Sequence, residues 1–127
     1  MHLIDTDVFI WIIRGNKKYT QWLQERDEKV SLGISTITIA EIFMNIFPSE
    51  LQNVERIIDH VIVEDVTSSI AKRAGWYWQE HHKRLKKLSI TDCLIASTAY
   101  AHKATLVTLN TRHFPMRDIT ILNPSKP

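Results

Sequence analysis

Short apolar runs alternate with amphipathic stretches along this chain. His2-Leu3-Ile4 reads as a short buried strand, and Val8 to Ile13 as a helix ending near Arg14-Gly15. Tyr19 to Glu28 reads as a polar helix anchored by Trp22 and Leu23. The β-branched run Ile34 to Ile37 leads into a helix from about Thr38, which Pro48-Ser49-Glu50 breaks before another helix over Leu51 to His60. Val61-Ile62-Val63 is a second clear strand. Thr67 or Ser68 caps a helix reaching about His82. Asp92 to His102 is a helix, and Leu106 to Leu109 and Ile119 to Leu122 are the last strands. Strands alternating with helices predict an α/β fold, with a mostly parallel central sheet covered on both faces. No internal repeat, low-complexity tract or Gly/Ser linker divides the sequence, so its 127 residues read as one domain, 1–127.

Against that pattern, three acids stand beside apolar elements. Asp5 ends Leu3-Ile4, Glu41 interrupts Ile37 to Phe47, and Asp92 opens Cys93 to Ala101. A fourth polar residue, Asn110, ends Leu106 to Leu109. An unpaired carboxylate near a core costs several kcal/mol. In open parallel sheets, sites form beyond the carboxyl ends of the strands, and all four residues fall on that predicted rim. Each also has a local explanation. Asp5 can cap the following helix, Glu41 stands at capping-box spacing after Thr38, Asp92 suits a helix N-terminus, and Asn110 suits a turn. These four explanations are independent of one another and do not account for the shared edge. A divalent cation such as Mg²⁺ or Mn²⁺, which takes hard oxygen ligands and keeps several waters, does.

Charge sharpens the picture through its distribution. The window 70–90 holds six basic residues against Glu80 alone, net +5, which leaves −3 for the rest of a chain whose total is +2. A basic strip of Lys72, Arg73, Lys83, Arg84, Lys86 and Lys87 on an acidic body suits a polyanion; a solvated helix end is the plain alternative. The one cysteine, Cys93, excludes an internal disulfide and a multi-Cys zinc site, and its apolar neighbours make it a core filler. Neither a basic, apolar leader nor a membrane-length apolar run is present, which predicts a cytoplasmic chain with no membrane partner. Trp76, Tyr77 and Trp78 span about 200° of a helix, so at least one of them is expected outside the core. His81-His82, His113 and Arg14 can face phosphate or the solvent.

Four segments resemble the PIN-domain nucleases: LIDTDVFIWI (3–12), STITIAEIF (35–43), ITDCLIASTA (90–99) and LVTLNTRHF (106–114). They cover about a third of the chain and occur in family order. Size and spacing resemble the VapC-type toxins of type II toxin–antitoxin modules. The resemblance implies a three-layer α/β/α sandwich and a Mg²⁺- or Mn²⁺-dependent endoribonuclease. It also implies a small cognate antitoxin as partner and a homodimer. Carried over residue by residue, it makes Asp5, Glu41 and Asp92 the acidic, metal-holding triad and places Asn110 at the fourth position, where many members have Asp. Thr6 and Thr108 match small polar residues that support the site. Asp7 stands where Asn is frequent. RNA as substrate comes from the resemblance alone; Arg73, Lys83, Arg84, Lys86 and Lys87 are the candidates to grip its backbone. An amide at Asn110 lowers the charge of the site and favours one bound ion over two.

Three other readings compete. A binding module of the same fold without turnover is one. A small Asp-dependent phosphatase, suggested by Asp5-x-Asp7, lacks a later acidic pair at a strand end. A receiver domain, aligned through Glu64-Asp65 and Thr108, leaves Glu41 and Asp92 without roles.

Overall fold

The computed structural model describes residues 1–26 and 28–126. Five short parallel strands form one sheet: β1 (His2–Ile4), β2 (Leu32–Ser35), β3 (Ile62–Glu64), β4 (Thr105–Val107) and β5 (Thr120–Leu122), in the order β3-β2-β1-β4-β5. Six helices cover it: α1 (Thr6–Ile13), α2 (Lys17–Gln24), α3 (Thr36–Asn45), α4 (Leu51–Ile58), α5 (Ser68–His81) and α6 (Ile90–Ala101). The expected α/β/α layering with a parallel sheet is what the chain forms. Adjacent strand residues face opposite sides, so Leu3 and Leu106 join one core and Ile4 and Val107 the other. The first core packs Ala74 and Tyr77 of α5 and Ile95, Ala96 and Ala99 of α6 beneath the sheet. The second packs Val8, Phe9, Ile12 and Ile13 of α1 with Trp22 of α2 and Ile42 of α3. Cys93 is fully buried in the first core. Among the described residues no helix is long and apolar enough to cross a membrane.

Caps decide where the elements begin and end. The β-branched run ends at Ser35 rather than Ile37, because the Ser35 hydroxyl accepts the Ile37 N–H at 3.0 Å and starts α3 at Thr36. That shift dissolves the expected Thr38–Glu41 capping box: Thr38 is buried inside the helix, and Ser35 is the cap. Likewise Ser89, not Asp92, opens α6, its hydroxyl accepting the Asp92 N–H at 3.1 Å. The helix expected over 19–28 begins earlier, at Lys17 behind the Asn16 cap, and stops at Gln24; Asp27 lies outside the described residues. Helix α1 ends in a Schellman turn, with Gly15 at φ 72° and bonds from Gly15 N–H to Ile12 O and from Asn16 N–H to Trp11 O. Strand β4 ends at Val107, two residues earlier than the apolar run suggests, because the Leu109 N–H turns away to a side chain on α1.

The order places β1 between strands that lead outward in opposite directions. β2 and β3 lie to one side and β4 and β5 to the other, which makes the carboxyl ends of β1 and β4 the switch point where a crevice opens. Helix α6 feeds β4 from the opposite edge, so its N-terminus with Asp92 sits on this same rim. Helix α5 runs antiparallel to α6, as the bond from the Ser97 hydroxyl to Ile70 O and the pair of His102 with Glu64 at 3.0 Å require. The C-terminus of α5 and the basic turn after it therefore also lie toward the rim.

Candidate metal-binding active site

Asp5 lies at the switch point because β1 places it there: its N–H continues the ladder by donating to Val107 O at 2.8 Å. Its side chain caps α1. Oδ1 accepts the Thr6 N–H at 2.8 Å, and Oδ2 accepts the Thr108 hydroxyl at 2.8 Å. The capping explanation and the site explanation are thus both true of one residue. Only 6% of Asp5 is exposed. Burial pushes its carboxyl up from 3.8 to about 7, repulsion from Asp7 and more weakly from Asp92 adds to the rise, and the two hydrogen bonds oppose it.

Asp7, to which the sequence assigns no place in the rim, is its hub. Oδ2 accepts the Leu109 N–H at 3.1 Å and the Asn110 Nδ2–H at 3.0 Å. Thr108 has one hydroxyl proton and gives it to Asp5, so its 3.4 Å approach to Asp7 is a contact rather than a second strong bond. The other oxygen, Oδ1, is buried without a hydrogen-bond partner. Burial raises the Asp7 carboxyl above its ordinary range against these donors. A signal for Asp7 did exist in the sequence: an acid at the second position of a helix whose cap is already an acid concentrates negative charge at one helix end.

The other acids join from two sides. Glu41, a turn and a half into α3, accepts the Thr6 hydroxyl at 2.7 Å; the Thr38 hydroxyl lies 3.2 Å from that of Thr6. Thr6 thereby ties α3 to α1 above Asp5. Asp92 occupies the first turn of α6, where burial raises its carboxyl, while Ser89 and His113 oppose the rise. The His113 Nδ1 stands 3.7 Å from Asp92 Oδ2, so the residue after the Asn110 turn closes that corner.

These groups fit a hydrated divalent cation. Among the described residues no three His, Cys, Asp or Glu side chains converge as a ready-made chelate. Mg²⁺ does not need one, since it takes one or two carboxylates directly and keeps several waters. The orphaned Asp7 oxygen and the raised Asp5 carboxyl are the marks of carboxylates facing one another across a gap with no counter-charge.

The basic strip divides. Lys83, Arg84, Lys86 and Lys87 are exposed on the connection between α5 and α6. Arg73 sits in mid-helix, roughly 12 Å from the C-terminus of α5 along the axis. It pairs with Asp118 at 3.2 Å and lies over the Tyr100 ring at 3.5 Å, so the structure does not group it with the other four. Arg14 is held by Glu50 at 3.2 Å, and the His82 ring stacks on Trp78 at 3.8 Å. Of the aromatic triplet, Tyr77 is buried and Trp76 and Trp78 are exposed.

The fold and these motifs have known counterparts. The profile of the PIN domain matches residues 2–119. Ribonuclease VapC10 of Mycobacterium tuberculosis is 34% identical over 116 residues, covering 91% of this chain and 87% of its own length. A toxin–antitoxin complex from Klebsiella pneumoniae superposes with a TM-score of 0.81 at 25% identity, over 98% of each chain. VapBC2 of Rickettsia felis, bound to a DNA fragment from its promoter, superposes with a TM-score of 0.83 at 21% identity over 96% of this chain and 97% of that one. A match running from the first strand to the last loop, with the rim acids inside it, means that this chain belongs to the PIN-domain family.

Proposed function

We propose that this chain is a Mg²⁺- or Mn²⁺-dependent endoribonuclease, the toxin of a type II toxin–antitoxin pair, that hydrolyses RNA phosphodiester bonds. The observation that carries the reading is Asp5. A carboxyl held near neutrality by burial and by two neighbouring acids is costly without a cation and well suited to one. The name of the 34%-identical relative, a ribonuclease, supports RNA as substrate. The toxin–antitoxin complex among the structural relatives supports an antitoxin as partner; pairing with a second copy rests on the family resemblance alone.

Asp5, Asp92 and Glu41 would hold the ion, directly or through waters. Once bound, the ion would supply Lewis acidity, lowering the pKa of water and offsetting charge at the phosphate. Thr108 and the Thr6 N–H fix the two oxygens of Asp5, and the Thr6 hydroxyl fixes Glu41, so the donor set is oriented before substrate arrives. One of these carboxylates takes the proton of the attacking water; the phosphorus–oxygen bond opposite breaks, and the leaving oxygen takes its proton from solvent water. Asp7 holds the 108–110 turn against α1 and so sets the width of the crevice. Lys83, Arg84, Lys86 and Lys87 attract the RNA backbone without reading its bases.

The test is cleavage of structured RNA by the purified protein, stripped of any co-purifying small protein. Cleavage is expected with Mg²⁺, and neither in EDTA nor by Asp5→Asn or Asp92→Asn protein with an unchanged circular dichroism spectrum. Full activity of the double variant, or in saturating EDTA, sinks the proposal.

A further inference from the structure

A second surface of the molecule has the makings of a ligand site. A cleft of about 640 Å³ lies along α5 and α6, lined by Lys72, Arg73, Trp76 and Tyr100 among others. A neighbouring cleft of about 600 Å³ contains Arg84 and Arg117. The two share Tyr77, Glu80 and Asp118, so they form one groove. One end of this groove lies close in sequence to two sides of the acid crevice. Pro115 and Met116 line it just beyond His113, whose ring faces Asp92, and Arg84 lies in the turn that leads to the Ser89 cap.

We infer that this groove holds an unpaired stretch of the RNA substrate outside the cleavage crevice, its bases stacking on Trp76 and against the Arg73–Tyr100 stack and its phosphates facing Arg84, Arg117 and Lys72. The inference rests on the nuclease reading and adds to it a second RNA-binding surface on α5 and α6. Three observations carry it. Trp76 is 67% exposed and Tyr100 39%, and both line the same cleft, so two aromatic side chains are accessible from one groove. Arg73 is built in rather than loose. Its guanidinium lies against Tyr100 at 3.5 Å and is held by Asp118, whose other oxygen accepts the buried Tyr77 hydroxyl at 2.7 Å. The guanidinium thus covers one face of the ring, and the two form one fixed stack. Finally, four cations line the groove against two acids, and one of those acids, Asp118, is already occupied by Arg73 and Tyr77. Aromatic rings interleaved with cations are the pattern of single-strand binding, in which each base has a face to stack and the sequence matters little. Paired bases have no free face, so a duplex fits the groove poorly.

The experiment measures binding of fluorescent RNA oligonucleotides to the full chain in EDTA, so that the result does not depend on cleavage. The probes are single strands of about 4 and about 12 nucleotides and a duplex of the longer length, sizes set by the several nucleotides that single-strand grooves hold. Wild type is expected to gain affinity from the shorter to the longer single strand and to discriminate against the duplex. Trp76→Ala removes an exposed side chain and is expected to lose at least about tenfold of that gain, in line with one base stack. Arg117→Ala is expected to lower the logarithmic salt slope by roughly 0.7, one phosphate contact on a single strand. Trp11→Ala, an exposed tryptophan on α1, keeps the full gain. Equal binding of the long strand by wild type and both groove variants overturns the inference. So does a variant whose RNA affinity is unchanged but whose oligomeric state shifts, since the face then belongs to a protein. Parallel cleavage with Mg²⁺ separates the two ideas. Length-dependent binding without cleavage sinks the nuclease reading and keeps the groove, and cleavage with unaltered groove variants does the reverse.

Discussion

Asp5→Asn is expected to make the metal-free protein more stable while ending its activity. The folded state binds the Asp5 proton more tightly than the unfolded state does, because burial and the neighbouring acids raise the carboxyl from 3.8 to about 7. Its contribution to stability is therefore most favourable below about pH 4, declines as the pH rises through that window, and is level above about pH 7. A rise of this size, at 1.36 kcal/mol per pH unit, corresponds to a penalty on the order of 4 kcal/mol at pH 8. An amide carries no charge to desolvate. It keeps an acceptor for the Thr6 N–H and turns its NH₂ toward the Thr108 hydroxyl, which can rotate to accept. The rise to about 7 already includes the opposing bonds from Thr6 and Thr108, so the net gain at pH 8 is on the order of 4 kcal/mol, or roughly 16 °C in Tm for a chain of this length. Thermal melts in EDTA at pH 8 should show that gain, and melts toward pH 4 should show most of it lost. A variant that melts below wild type at pH 8, or a gap independent of pH, would refute the account of Asp5. Higher stability together with lost RNA cleavage is the expected signature of a strained functional site.

Four further outcomes are expected. Mg²⁺ at about 100 times its Kd should stabilise wild type by about 2.7 kcal/mol and Asp5→Asn by much less; equal shifts in Tm contradict the metal assignment. Asn110→Asp should place two carboxylates about 3 Å apart, costing about 1.4 kcal/mol even at the dielectric constant of water; melts should show the loss in EDTA and its reversal by Mg²⁺, and an Mg²⁺-independent loss counts against it. Gly15→Ala should cost about 1 kcal/mol in denaturant titrations, because the Schellman turn of α1 needs φ 72° there. Cys93, its thiol pushed up to about 11 by burial first and by Asp92 second, should resist a thiol reagent at pH 8 in the native protein and react once the protein is unfolded.

The layers and the rim were legible because they rest on patterns that the sequence displays directly. Continuous apolar runs such as Leu3-Ile4 and Leu106-Val107 mark strands buried on both faces, and acids at the ends of such runs mark the carboxyl edge. Element boundaries were less legible, since single hydroxyls decide them. Ser35 stops a β-branched run that propensity alone would extend, and Ser89 starts α6 two residues before the acid that the pattern picks out. The role of Glu41 could not be read locally at all. Thr38 stands at the right spacing to cap with it, yet the partner of Glu41 is the Thr6 hydroxyl, 35 positions away. Arg73 failed the same way, because a charge count along the chain cannot see that Asp118 and Tyr100 come to meet it.

Asp7 and Asn110 are the two departures from the family pattern, which has Asn frequent at the first position and Asp in many members at the second. They touch: the Asn110 amide donates to Asp7 Oδ2 at 3.0 Å. An Asp at position 110 facing an Asn at position 7 can make the same bond with its polarity reversed. The two departures therefore read as one exchange, which preserves the bond and the charge of the rim but moves the carboxylate from an exposed turn to the half-buried first turn of α1. There the N-terminal dipole of the helix partly offsets it, and there it stands two residues from Asp5, whose carboxyl it raises. The exchange concentrates negative charge at the inner end of the crevice and withdraws it from the outer end. On the metal-dependent reading proposed above, a rim arranged in this way would favour one ion next to Asp5 over two ions spread across the crevice. Exchanging both residues at once, Asp7→Asn with Asn110→Asp, should restore metal-free stability relative to Asn110→Asp alone.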